Sequence, residues 1–460
     1  MQQHRPFWSS RFTYVLAVAG ATVGFGATWR FPYLVGQNGG GAYVLVFIVA
    51  MILIGIPMLL VENAIGRRMQ VNAVDAFGGK VNGREISKYW RIVGYGGLVG
   101  AFGIMAYYMV IGGWVLDYIY SILLGDLKIG KGILSAEQTS SFYEKNINNS
   151  PLEIGIFTFI FVVINYIILI NGAVKGIERA AKYLMPLLFL LMLGMVGRNL
   201  SLDGALEGTI YYLKPDFSKI NTKLFIDVLG QVFFALSLGF ATIITLSSFV
   251  KKDESLVQTS IITGILNTAI AVLAGFMIFP SLFTFGIEPN SGPSLVFKSL
   301  PIVFSHMFAG DFVAVAFFSL LMIAALTTSL PIYEAIITVL EEKSTLSRKN
   351  CILIVLGGIF ILGNIPSLLA TNLLADISIF GKNIFDAYDA ISANIFFVLT
   401  SLLCAIFVGW VLKDEAKAEI LRGSQKYAKL VDIWFFYVKY IIPFIVLIVF
   451  ISSFYDNFIK

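Results

Sequence analysis

The chain has 460 residues, 58% hydrophobic and 13% charged, with a mean hydropathy of +0.84. That composition excludes a soluble globular protein and indicates a polytopic, all-α membrane protein. The net charge of +5 comes from basic residues scattered over short loops, which excludes a nucleic-acid-binding surface.

Apolar runs predict eleven membrane spans, at about 12–34, 42–66, 90–124, 152–171, 178–197, 224–249, 258–285, 311–340, 351–368, 384–412 and 433–454. The first run follows Arg5 and Arg11 but continues into an Arg-Phe-Pro motif, so it reads as a span and not as a cleaved signal. Loops on the N-terminal side carry 21 Lys and Arg, and those on the other side carry 10. The positive-inside rule then places the N-terminus in the cytoplasm and, with an odd number of spans, the C-terminus outside. The expected location is the cell membrane. Cys351 and Cys404 both fall in spans, and His4 and His306 are far apart, so no disulfide or metal cluster is expected.

The first span carries Gly20, Gly24, Gly26 and Arg30 in one run. Two readings fit. Small residues four apart permit close helix packing. Alternatively the helix breaks at mid-membrane and its freed backbone groups bind an ion or a zwitterion. Arg30 favours the second, because a charged residue inside a membrane usually marks a pathway. The loop at 125–151 is polar, and 289–301, rich in Pro and Gly, predicts a re-entrant or capping hairpin on the outer face.

Spans one to five and six to ten have equal counts. Five is odd, so the second set enters from the opposite side, an inverted repeat over 12–197 and 224–412 with an extra helix at 433–454. The sixth span is then expected to break where the first does, and Ser237-Leu-Gly239 sits at its middle as Gly24-Phe-Gly26 does in the first. In the eighth span Thr327, Thr328 and Ser329 are adjacent. Such hydroxyls either bond back to the preceding turn or supply uncharged oxygens to a hard cation such as sodium. No zinc spacing, nucleophile elbow or phosphate loop is present, so no enzyme is expected.

The run Gly24 to Leu34, with Asn38 to Ala42, Gly55 to Pro57 and Glu62 to Gly66, resembles the neurotransmitter:sodium symporter family in its bacterial amino-acid branch. The resemblance implies the leucine-transporter fold, with helices 1 and 6 broken at mid-membrane. It implies sodium-coupled symport of a neutral, apolar or aromatic L-amino acid by alternating access. By resemblance, one sodium ion is held by Gly20, Val23, Ala324, Thr327 and Thr328. The family's first sodium site falls on Thr22, Ala27, Ala235 and Asn267, where methyl groups replace two side-chain ligands, so that site is expected to be degraded. The chloride position falls on Ala271, so chloride dependence is not expected, and no organic cofactor is implied.

The same correspondence assigns the substrate carboxylate to the Phe25 and Gly26 amides and the Tyr108 hydroxyl. The ammonium goes to Thr22, Phe234, Ala235 and Ser237. The side chain goes to Ile104, Phe234, Phe240, Thr328 and Ile332. Tyr108 also reads as a packed aromatic, as its neighbour Tyr107 does. Arg30 and Asp389 match an outer gate, and Arg5 and Glu342 an inner one, with Phe249 replacing a hydrogen-bonding Tyr there. Glu62 and Gln231 read as helix-bridging polar groups, Gln231 beneath Arg30. Two alternatives remain in the sequence: a non-transporting amino-acid sensor, and a symporter of another carboxylate such as an osmolyte. Expected partners are the amino acid and the bilayer, with a homodimer as a candidate assembly.

Overall fold

The computed structural model describes residues 6–288 and 295–459. Arg5, His4 and the first part of the predicted outer hairpin, 289–294, lie outside them. We call the face that carries the N-terminus the inner face, following the loop charges.

The helices are α1 (Arg11–Thr22), α2 (Gly26–Gln37), α3 (Gly41–Met69), α4 (Lys88–Leu124), α5 (Pro151–Leu169) and α6 (Ala173–Leu200). They continue with α7 (Thr222–Ala235) and α8 (Thr242–Ser247). The last are α9 (Leu256–Thr284), α10 (Gly310–Lys343), α11 (Arg348–Leu369), α12 (Ile384–Leu412) and α13 (Gln425–Tyr455). Nine of these are individually long and apolar enough to cross a bilayer among the described residues. The pair α1 and α2 is a tenth candidate, bent by 55° at its break. The predicted sixth span is the pair α7 and α8, each too short to cross alone. A two-stranded hairpin, Lys80–Val81 with Arg84–Glu85, decorates the inner side.

The two breaks have different causes. In the first, α1 ends at Thr22 and the chain resumes with a wide π-type turn over Gly26–Arg30. In the second, Ser237, Gly239 and Ala241 all take positive φ, at 51°, 80° and 62°. Left-handed residues cannot propagate a right-handed helix. Gly239 is required there twice over, because a Cβ would also strike the Phe397 carbonyl.

A broken helix in lipid leaves backbone groups without intrahelical partners, and these must be satisfied by protein. Here side chains do so. Gln231 Nε2 donates to the Gly26 carbonyl at 2.7 Å. Glu62 Oε1 accepts from the Gly239 amide at 2.7 Å. Asn267 Nδ2 donates to the carbonyls of both Thr22 and Ala235, at 3.0 and 2.9 Å. All three side chains are fully buried. Gln231 therefore serves the first break, and among the described residues its Oε1 has no hydrogen-bond partner, correcting the expectation that it steadies Arg30.

The broken pairs sit at the centre. α1 packs against α6, α8, α9 and α10, and α8 against α3. Tyr14 donates to Asn63 at 2.6 Å, and Asn63 to Ser260 at 3.0 Å, tying α1, α3 and α9 together. α4 and α10 flank the centre and pack on one another. α13 lies outside, against α12.

Candidate functional site

The break in α1–α2 faces the break in α7–α8, and a small cavity lies between them. It is lined by Thr22, Gly24, Phe25, Gly26, Ile104, Tyr108, Phe234, Ser237, Phe240, Thr328 and Ile332, and holds about 10 Å³. Ten of the eleven residues expected to bind substrate are in that lining. The eleventh, Ala235, is not; its carbonyl is taken by Asn267. Gly24 also lines it, and is required sterically, because a Cβ would come within 2.5 Å of both the Tyr108 and Thr328 hydroxyls.

At one end of the cavity the Phe25 amide donates to the Tyr108 hydroxyl at 3.3 Å. Two donors assigned to a carboxylate thus converge on one point. The rest of the wall is apolar or aromatic, apart from the Thr22, Ser237 and Thr328 hydroxyls. Of these, Thr22 donates to Ala19 at 3.0 Å and Ser237 to Ala21 at 2.8 Å, so both are directed into α1.

One helical turn inward lies the expected sodium site. Thr328 Oγ1 reaches across from α10 to the Gly20 carbonyl at 2.9 Å. Thr327 Oγ1 lies 3.1 Å from the Ala324 carbonyl and 3.1 Å from that of Ile323. A Cβ on Gly20 would stand 3.2 Å from Thr327 Cβ, so α1 and α10 are in contact here. Gly20, Ala324, Thr327 and Thr328 are thereby brought together, and Val23 closes α1 beside them. Among the described residues no group of three or more His, Cys, Asp or Glu is poised for a metal ion. An uncharged oxygen cage suits sodium rather than zinc or calcium.

The first-site residues meet differently. Asn267 points its amide N–H groups at the Thr22 and Ala235 carbonyls, and its Oδ1 is buried without a partner. Ala27 is fully buried and offers a methyl group. Ala271 is likewise buried.

Above the central cavity a larger one of about 260 Å³ opens outward, lined by Trp29, Arg30, Tyr33, Tyr107, Ile111, Phe385 and both Asp386 and Asp389, among others. Arg30 and Asp389 share this cavity, but no ion pair joins them among the described residues. Arg30 instead lies over the Phe234 ring, 4.5 Å from its centroid. Asp389 accepts from the Tyr107 hydroxyl at 2.6 Å. Tyr107, read from sequence as a packed aromatic, thus holds Asp389, a residue expected at the outer gate. Phe240 is a wall of the central cavity, and Phe234 stands beside it at 6.4 Å, edge-on.

The inner side is closed. Trp8 donates from its backbone to Phe249 at 3.2 Å and from its indole to Leu246 at 2.9 Å. The Phe249 ring meets Trp8 edge-on at 6.5 Å. Glu342 accepts from the backbone and side-chain amides of Asn72, both at 2.9 Å; its expected partner Arg5 lies outside the described residues. Glu178 on α6 accepts from both the backbone and the hydroxyl of Ser9.

These features bear on ancestry. The sequence pattern of the Sodium:neurotransmitter symporter family matches residues 5–150 and 145–458. The chain belongs to this family. An uncharacterized sodium-dependent transporter of Haemophilus influenzae is 63% identical over 453 residues, 98% of each chain. The Bacillus subtilis sodium-dependent transporter YhdH is 34% identical over 454 residues, again 98% of each. Among solved structures, that of MhsT in complex with L-phenylalanine superposes with a TM-score of 0.87 at 37% identity, covering 98% of this chain and 100% of that one. The family is one of sodium-dependent membrane transporters. The all-helical fold with broken central helices, expected from the family resemblance, is the fold found here.

Proposed function

We propose that the chain imports a neutral L-amino acid with an apolar or aromatic side chain, coupled to one sodium ion, by alternating access. The observation that carries this reading is the convergence of ten expected substrate residues on one cavity, with the Phe25 amide and Tyr108 hydroxyl at its polar end. A ligand bringing its own carboxylate fits those donors, and the absence of any acidic side chain in the lining disfavours a bare amine. Phenylalanine bound to the similar MhsT supports the class.

One sodium ion is favoured because the two candidate sites differ in polarity. The cage of Gly20, Val23, Ala324, Thr327 and Thr328 offers oxygens. At the other, Ala27 and Ala235 bring methyl groups, and the Thr22 and Ala235 carbonyls a second ion would need are already bonded to Asn267. The two sets of five spans, 12–197 and 224–412, act as the inverted halves that rock about this centre. The N-terminus is cytoplasmic and the C-terminus extracytoplasmic. Each inward-moving charge gains about 2.3 kcal/mol per 100 mV, in addition to the concentration term.

The test is uptake of a labelled neutral amino-acid panel into proteoliposomes, with sodium varied against potassium and choline. The expected result is sodium-dependent accumulation of apolar and aromatic members with a Hill coefficient of about one. Accumulation indifferent to sodium overturns the coupling. Binding without accumulation overturns transport and favours a sensor.

A further inference from the structure

The central cavity is far smaller than any amino acid; about 10 Å³ is the room of a single water. A side chain enters only if a wall moves, and the walls are not equally free. Phe25 has room on one side, because it borders the open outer cavity. Phe234 borders it too, under Arg30. Phe240 borders no opening: its ring is buried, at 2% exposure, and a second ring lies flat behind it.

That second ring is Phe397, at the end of a π-type turn over Ser392–Phe397 in α12. The two rings are stacked, 3.4 Å between centroids and 20° between planes. Phe397 does not line the central cavity; one side of it borders a separate cavity of about 770 Å³ between α7 and α12, and its other sides are packed. A Cβ on Gly100 of α4 would lie 2.8 Å from its ring carbon Cε1, and its backbone abuts Gly239 at the second break. Close-packed interiors transmit such displacement instead of absorbing it.

We propose that Phe397 is a positioning residue for substrate size: acting through Phe240, and limited by Gly100, it fixes how far the side-chain wall can retreat. This rests on the amino-acid reading above. It names the determinant of that pocket outside the pocket itself. Two substitutions move the wall in opposite directions. Phe397→Leu removes the flat ring behind Phe240 and lets the wall fall back. Gly100→Ala places a methyl against the Phe397 edge and presses the stack toward the cavity.

The test compares kcat/KM for tryptophan and for leucine in proteoliposomes. Phe397→Leu raises the tryptophan-to-leucine ratio about tenfold, and Gly100→Ala lowers it by a similar factor, the scale set by about one methylene of pocket room. A merely structural defect lowers both substrates together and leaves the ratio fixed; that result in both variants overturns the proposal. A second readout is independent of transport. With meta-fluorophenylalanine at position 240, the ring-flip rate seen by 19F NMR rises in Phe397→Leu and falls in Gly100→Ala. Unchanged flip rates overturn the packing argument. Shifted flip rates in a wild type that accumulates no neutral amino acid overturn the substrate reading alone and leave the Phe397 contact supported.

Discussion

Asn267→Asp separates the one-ion reading from its rival. The substitution is nearly isosteric, yet it replaces two N–H donors with a carboxylate oxygen. In the native protein those donors satisfy the Thr22 and Ala235 carbonyls, at 3.0 and 2.9 Å, and so tie the first break to the second. In the variant both carbonyls lose their donor and face an acceptor. Leaving a buried acceptor unsatisfied costs about 1–3 kcal/mol, so the pair costs about 2–6 kcal/mol in sodium-free buffer. At about 2.1 cal/mol/K per residue, the unfolding entropy of a 460-residue chain is about 1 kcal/mol/K, and the expected drop in Tm is about 2–6 °C. Sodium reverses the sign of the problem. The carboxylate and two carbonyls become three oxygens converging on one point, which suits a hard cation. The variant therefore regains stability with added sodium more steeply than wild type. Its Hill coefficient for sodium-driven uptake rises from about one toward two. The assays are thermal unfolding in detergent and uptake, each across a sodium titration. A sodium-free Tm equal to that of wild type refutes the hydrogen-bond assignment. A wild-type Hill coefficient of two, unchanged in the variant, refutes the one-ion reading.

Other consequences follow from single contacts. Thr328→Val keeps the shape but removes the hydroxyl at 2.9 Å from the Gly20 carbonyl. The sodium concentration for half-maximal uptake rises by about tenfold or more, and an unchanged sodium curve removes Thr328 from the ion site. Gln231→Leu strands the Gly26 carbonyl and lowers Tm by about 1–3 °C on the same scale; equal Tm values contradict its role at the break. Glu178→Gln weakens the two bonds from Ser9, and amide hydrogen exchange over residues 8–14 accelerates, whereas no change in exchange means that α1 is anchored elsewhere. On the outer side Glu144 is held below its ordinary value, first by the Asn148 amide and then by Lys298. A depressed carboxyl keeps that tie intact at neutral pH and loses it as pH falls through the lowered value. In wild type, quenching of Trp29, which lines the outer cavity, by a soluble quencher rises as pH falls; Glu144→Gln, which lacks the tie at every pH, shows no such rise, and the same pH profile in both contradicts this role.

The breaks were legible because they violate what a lipid-facing helix tolerates. Gly24, Gly26 and Arg30 in one apolar run, and Ser237 with Gly239 in another, leave backbone that only a polar interior satisfies. The hydroxyl pair Thr327–Thr328 divides between its two readings: Thr327 bonds back to the Ile323 and Ala324 carbonyls, whereas Thr328 crosses to that of Gly20. What satisfies each break was not legible. Asn267 looks like any single polar residue in a span, and only the fold shows that one amide reaches carbonyls 245 and 32 residues away in sequence. Tyr107 and Tyr108 illustrate a second limit. Neighbours on a helix point about 100° apart, so one meets Asp389 and the other Phe25. Sequence named the pair without assigning the right task to Tyr107. Arg30 and Asp389 carry opposite charges in matched positions, yet each has taken a nearer partner, Phe234 or Tyr107. Phe397 left no trace at all, since a phenylalanine in an apolar span is the most ordinary of residues.

The two ends of the central cavity are closed by unequal means, and the difference bears on the cycle. Outward, the path from the 260 Å³ cavity to the centre passes Phe234 and the guanidinium above it. An exposed or half-buried cation–π contact contributes about 0.5–2 kcal/mol, and the ring can swing into open space. Inward, α1 is held by Trp8 to the backbone of both Leu246 and Phe249, by Ser9 to Glu178 and by Tyr14 to Asn63. Those bonds engage α8, α6 and α3, so the inner end opens only when several contacts break together. Opening outward is then the smaller step for this arrangement, and on the proposed reading a ligand would reach the centre from that side. A sodium ion between the Gly20 and Val23 carbonyls and the Thr327–Thr328 hydroxyls would fasten α1 to α10 as well. By linkage, an ion that binds only while those helices touch stabilises the inner-closed state by its full differential affinity. On the proposed reading the inner bonds would therefore loosen less readily while the ion is bound than without it. Sodium binding would then favour the outward-facing, substrate-accepting state instead of riding along as a passenger.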